Sequence, residues 1–139
     1  AALSTEMKVG PDGVTILPET ISKEPLGPVV RQGDDQWMDI VAMTLYALIN
    51  AEELGITSGN IDSLKANPGN PGVARLVGTE GNMGELLGLG ADWSYNAIKQ
   101  VGNYGEIYAN TVEKIGIPRT GSVNDLWTRG GILYAPPIR

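Results

Sequence analysis

Two short, proline-interrupted stretches near the start of this sequence are its only candidates for β-strands, and the rest of the chain reads as helix and loop. Val14-Thr15-Ile16-Leu17 is apolar and β-branched, and Pro18 stops it because proline has no amide to give to a ladder. Leu26 to Arg31 is also extended in character, and Pro25 and Pro28 suit an edge or a crossing segment better than the middle of a sheet. Two strands alone are marginally stable in water and normally belong to a larger sheet. The chain is therefore expected to be a mostly α-helical piece with two short strands, whose sheet is completed from outside it.

The helical pattern starts in earnest at Asp34-Asp35, either of which can cap a helix running to Leu54 and stopped by Gly55. Trp37, Ile40, Val41, Leu45, Leu48 and Ile49 form one apolar stripe. Met38, Ala42, Tyr46, Ala47 and Ala51 leave the opposite face weakly polar, so burial on two sides is expected. Ser58 to Lys65 predicts a short helix, and the doubled Asn-Pro-Gly of Asn67 to Gly72 predicts a loop, read as a local insertion. Helical turns are expected over Val73–Val77 and Met83–Leu87. Asp92 then opens a long stretch with Trp93, Ala97, Val101, Tyr104, Tyr108, Val112 and Ile115 on one stripe. Gly102 and Gly105 interrupt it at about 1 kcal/mol each relative to alanine, which a bend or a close helix crossing would explain. A last short helix is expected around Val123 to Trp127, and the tail Leu133 to Arg139 should lie against a surface. Upstream, Ala1 to Lys8 reads as the last turns of a helix, followed by the turn Gly10-Pro11-Asp12-Gly13.

Composition narrows the chemistry. The 139 residues are 42% hydrophobic and 19% charged, as expected of one globular domain. A formal net charge of -6, with scattered basic residues, gives no footprint for nucleic acid. There is no cysteine and no histidine. That removes disulfides, thiol catalysis, the commonest general base and the commonest metal ligand. The longest nearly apolar run, Ile40 to Ile49, is half the roughly 20 residues of a membrane-spanning helix. Ala1-Ala2-Leu3-Ser4-Thr5-Glu6 has neither the basic nor the apolar region of a signal peptide.

The constellations that could carry chemistry mostly dissolve on inspection. Asp34-Asp35 and Glu52-Glu53 are adjacent on a helix and diverge by about 100 degrees, so they read as a cap and a solvated face rather than an acid/base dyad. Gly88 and Gly90 resemble the start of a dinucleotide fingerprint, but Trp93 occupies the third glycine position and no good strand precedes them. Ser22 and Lys23 are adjacent, which does not suit a Ser-Lys nucleophile. No stretch has the oxygen spacing of a calcium loop. The tryptophans and tyrosines, at helical spacing, read as core; Trp127 and Tyr134 are expected to pin the tail. No catalytic, ligand-binding or metal residue is assigned, and no cofactor is expected.

One group of strings goes further. Ile16 to Trp37, with Leu17-Pro18-Glu19-Thr20-Ile21-Ser22-Lys23-Glu24-Pro25-Leu26-Gly27-Pro28 at its centre, closely resembles general L-amino-acid-binding periplasmic proteins of ABC transporters. The resemblance continues through Leu45 to Gly55, Gly102 to Ile107, Leu126 to Gly131 and Tyr134 to Arg139. Met38 and Met83 stand where phenylalanine is expected, and the doubled Asn-Pro-Gly is a further departure. The resemblance implies an α/β parent, a type II binding protein with two lobes joined by two crossing strands, that closes on an amino acid and presents it to a membrane permease. On that basis residues 1–33 would be the end of lobe two and a crossing strand, 34–55 a lobe-one helix, and 56–139 a helical C-terminal extension. It implies a periplasmic protein that is no enzyme, and ligand-clamping residues that lie upstream of this chain. The competing reading is a stand-alone helical interaction protein, an intertwined homo-oligomer sharing the two strands; its test is the mass in solution.

Overall fold

In a computed structural model of the protein, residues 17, 19, 21–22 and 26–139 are described. The expected helix over 1–8, the turn over 10–13 and the strand residues 14–16 lie outside them. Helix α1 (Asp35–Glu53) is the spine. The Asp34 side chain accepts the Trp37 amide at 3.2 Å and so satisfies one of the helix's orphan donors. At the other end Gly55, at φ 69°, lets the Ile56 amide reach the Ala51 carbonyl at 2.8 Å and its own amide reach Glu52 at 3.1 Å. That paired closure reverses the chain and drops Ile56, fully buried, under the helix.

Four short helices follow, of which α3 and α5 pack against α1. Helix α2 (Ile61–Ala66) starts later than expected, because Thr57 and Asn60 close a reciprocal turn, side chain to amide in both directions, at 2.7 and 3.2 Å. Helix α3 (Pro71–Leu76) corrects the reading of the doubled Asn-Pro-Gly. Only the first copy is a loop; in the second, Asn70 accepts the Val73 amide at 3.0 Å and Pro71 takes the first helical position, where its missing N–H costs nothing. Helix α4 (Met83–Leu86) and helix α5 (Trp93–Val101) come next, and Ser94 donates to the Leu76 carbonyl at 2.8 Å in the interior.

The long expected stripe from Trp93 to Ile115 is broken into two helices. Gly102 adopts φ 84°, and α6 (Tyr104–Asn110) restarts behind a capping box of Asn103 and Glu106. The second glycine, Gly105, marks a close approach: a Cβ there would sit 2.9 Å from the Glu52 carboxyl carbon. Bend and close approach are thus divided between the two residues. The core is Ala47, Leu48, Ala51, Ile56, Ile61, Val73, Leu76, Val77, Ile98 and Ile138. A smaller cluster of Ile49, Leu126 and Ala135 seats the C-terminal segment.

The helix expected over Val123–Trp127 does not form. Asp125 bonds the Leu126 amide with its own side chain at 2.8 Å, and Leu126 and Leu133 make an isolated parallel bridge instead. A single 3-10 turn, Trp127–Arg129, comes after it. The tail does lie on a surface as expected: Asn50 donates to the Pro136 carbonyl at 2.8 Å, and Ile138 enters the main core.

The second expected strand is also absent. Residues 26–30 carry no strand pairing and make no backbone–backbone hydrogen bond among the described residues. A strand is defined by the backbone it pairs with, and no described residue pairs its backbone with this segment. Among the described residues the protein is helix and loop with no named strand.

Candidate functional site

Helix α1 was expected to be buried on two sides, yet only its C-terminal half is. Ala47, Leu48, Ile49 and Ala51 are buried, whereas Trp37 and Met38 are 51% and 56% exposed. Met38, Val41, Ala42 and Leu45 line up along the helix and, with Pro28 and Val30 from the extended segment, wall an open apolar groove of about 210 Å³. Val29 and Leu26, on the same segment, are almost fully exposed. The backbone of residues 26–30 beside this apolar groove has no partner among the described residues.

At the far end of α1 sits a charge cluster that sequence reasoning did not find. The carboxylate of Glu52, expected on a solvated face, has a side chain only 8% exposed because the C-terminal segment folds across it. Its Oε1 takes the Arg119 guanidinium at 2.6 Å, and Arg129 also donates to it. Arg119 is 7% exposed, donates through Nε to the Asn124 carbonyl at 2.9 Å, and lies over the rings of Tyr104 and Tyr108 at 5.1 and 5.5 Å. Arg129 turns its Nε to Asp125 at 2.7 Å. That hydrogen bond outweighs burial and, with the Leu126 amide, holds the Asp125 carboxyl below the usual carboxylate range. Glu53, one residue on, points to the surface and accepts the Trp127 indole N–H at 3.2 Å. The two members of the pair have opposite environments. No periodicity links position 52 to 119, 125 and 129, so this cluster had no sequence signal.

Glu106 anchors a second tie. It accepts the Asn103 amide at 2.8 Å and the Ser58 hydroxyl at 2.7 Å, while Asn103 donates to the Ile56 carbonyl at 2.7 Å. Burial works to raise the Glu106 carboxyl, and the Ser58 and Asn103 hydrogen bonds overcome it, leaving the group below its ordinary value.

The remaining sequence candidates fall where structure, not chemistry, needs them. Asp34 caps α1. Gly88, at φ 71°, takes the turn after α4, where Gln36 donates to the Leu87 carbonyl at 3.4 Å, so a helix rather than the strand of a dinucleotide fingerprint precedes it. Ser22 is exposed, and Lys23 lies outside the described residues. Tyr108 is core, and Trp127 and Tyr134 meet edge-to-face at 6.0 Å over the tail. A small cleft of about 150 Å³ is edged by Arg75, Glu80, Glu85, Trp93 and Arg139, whose charges make no ion pair with one another. Among the described residues, no three His, Cys, Asp or Glu are placed to hold a metal ion.

No protein-family model matches the chain. Over 133 residues it is 56% identical to the general L-amino acid-binding periplasmic protein AapJ of Rhizobium johnstonii, covering 93% of this chain and 38% of that one. It is 55% identical over 127 residues to the putative amino-acid ABC transporter-binding protein YhdW of Escherichia coli, covering 89% and 37%. The glutamate/glutamine/aspartate/asparagine-binding protein BztA of Rhodobacter capsulatus is 50% identical over 127 residues, covering 91% and 38%. Among solved structures, an ABC transporter periplasmic binding protein from Brucella ovis with glutathione bound superposes with a TM-score of 0.88 at 43% identity, over 99% of this chain and 44% of that one. The chain therefore spans less than half the length of the proteins it matches.

Proposed function

We propose, for a chain homologous to the C-terminal portion of the amino-acid-binding periplasmic proteins of ABC transporters, that it serves in the solute-binding component of an importer for polar L-amino acids. In this reading residues 1–33 carry the exit from lobe two and a crossing segment, α1 belongs to lobe one, and residues 56–139 form a C-terminal extension. The observation that carries it is the half-exposed α1: an apolar groove beside an extended segment whose backbone has no partner among the described residues fits a lobe whose covering sheet lies elsewhere. The partners are the carried amino acid and the permease, the compartment is the periplasm, and no cofactor or catalytic step is involved. No helix of the described residues is long and apolar enough to cross a membrane. The stand-alone scaffold reading is not favoured, because relatives at 50–56% identity are transport proteins.

The amino-acid clamp is assigned to residues outside this chain. An α-carboxylate needs a cation that is desolvated yet free to receive it. The one deeply buried arginine described, Arg119, is already committed to Glu52. Calorimetry with glutamate, glutamine and aspartate tests both parts. The 139-residue chain alone should bind none of them, and the full-length polypeptide should bind at least one in the micromolar range, about 8 kcal/mol. Micromolar binding by the chain alone would sink the clamp assignment, and no binding by the full-length protein would sink the transport reading.

A further inference from the structure

Among the described residues, three buried side-chain polar atoms have no hydrogen-bond partner, and all three belong to one cluster: Glu52 Oε2, Arg119 Nη2 and the Tyr108 hydroxyl. Arg119 touches both of the others. Its Nη1 donates to Glu52 Oε1 at 2.6 Å, and its guanidinium carbon lies 5.5 Å from the centre of the Tyr108 ring. The other ends of the charged pair are already engaged: Arg119 Nε on the Asn124 carbonyl at 2.9 Å, and Glu52 Oε1 shared with Arg129. Two bonds to a planar guanidinium fix its plane, so Nη2 cannot turn away without giving up one of them. Gly105 closes the near side, since a Cβ there would lie 2.9 Å from the Glu52 carboxyl carbon and 3.2 Å from Arg119 Nη1. The cluster is thus held in place with one donor, one acceptor and one group that can be either.

We propose that a single water molecule is bound inside this cluster, accepting from Arg119 Nη2, donating to Glu52 Oε2 and bonding the Tyr108 hydroxyl. The three groups define what can sit there. A small anion would meet the Glu52 oxygen, and a cation would meet Arg119; a neutral molecule that both donates and accepts answers all three. Buried water characteristically makes about three hydrogen bonds to polar groups that the protein leaves unmatched. Leaving buried atoms of an ion pair unmatched is costly, and one water removes that cost at three places. It also joins α1, α6 and the C-terminal segment at one point, where direct bonds join only the first and the last. This site involves the described residues alone, so it stands or falls separately from the transport reading.

The test is a crystal structure of the full-length protein at a resolution that shows ordered solvent. One peak should lie within about 2.6–3.2 Å of Arg119 Nη2, Glu52 Oε2 and the Tyr108 oxygen. A protein group in that place, or the three atoms bonded to one another, overturns the proposal. So does anomalous scattering from that peak in bromide-soaked crystals, which would make the occupant an anion. Oxygen-17 relaxation dispersion supplies a second measurement in solution, because it counts long-lived internal waters. The double variant Glu52→Met with Arg119→Met should hold one fewer than wild type. Tyr108→Phe keeps the ring, removes one partner, and should shorten the water's residence roughly fivefold, the worth of one hydrogen bond. An unchanged count in the double variant, or an unchanged residence time in Tyr108→Phe, overturns the proposal.

Discussion

Replacing Glu52 by glutamine is the sharpest test of how the C-terminal segment is held. The substitution keeps the shape but removes the charge that two guanidiniums share. Arg129 is 49% exposed and turns to water and Asp125, so its loss costs little. Arg119 is different: at 7% exposure, between two tyrosine rings, it is left as a buried cation without a counter-ion. Breaking a buried pair from one side costs about 3–5 kcal/mol, a large part of the roughly 5–15 kcal/mol that holds a domain together. In a chain of this size that lowers the melting temperature by about 10 °C or more. Replacing both partners, Glu52→Met with Arg119→Met, should recover most of the loss, because apolar pairs of similar volume substitute well for buried ions. Urea unfolding of wild type, Glu52→Met, Arg119→Met and the double variant closes the cycle, with Glu52→Gln measured beside them. A Glu52→Gln variant within about 1 kcal/mol of wild type would show a solvated pair and refute the reasoning.

Three further outcomes are expected. Because the Glu106 carboxyl is depressed in the fold, its contribution is fully present above the ordinary glutamate pKa of about 4.3 and is lost as pH falls through the lower folded value; Glu106→Gln should flatten that part of a stability–pH profile. Gly131→Ala would drive a Cβ into the Asp125 carbonyl oxygen, a backbone atom that cannot swing aside, and should cost roughly 2–4 kcal/mol in denaturant unfolding. Asn70→Ala removes the cap of α3 and should cost about 1 kcal/mol by the same measurement, whereas a loop at that position would tolerate it unchanged.

What the sequence made legible was local. The start and stop of α1 followed from Asp34 and Gly55, because a cap and a left-handed turn are decided within a few residues. The break near Gly102 was visible as a cost, though not as a break. Misreadings arose where one residue type serves two purposes: Asn70-Pro71 reads equally as turn and as helix start, and the side chain's acceptor role decides. The strand over Leu26–Arg31 failed for another reason, since extended propensity does not supply a neighbour. The Glu52 cluster was invisible because it joins residues 67 and 77 positions apart, and nothing in a helical face announces which segment will cover it. The absence of a clamp in this chain was an expectation carried by resemblance alone.

The extended segment at 26–30 has a consequence for how such a chain avoids associating with its own copies. An extended segment whose backbone has no partner among the described residues, with Leu26 and Val29 exposed, is a template on which identical chains can stack. Two features blunt it: Pro28 withdraws a donor from the middle of the edge, and Arg31 sets a charge at its end. The residues that first looked like flaws in a strand thus also oppose its stacking on identical chains.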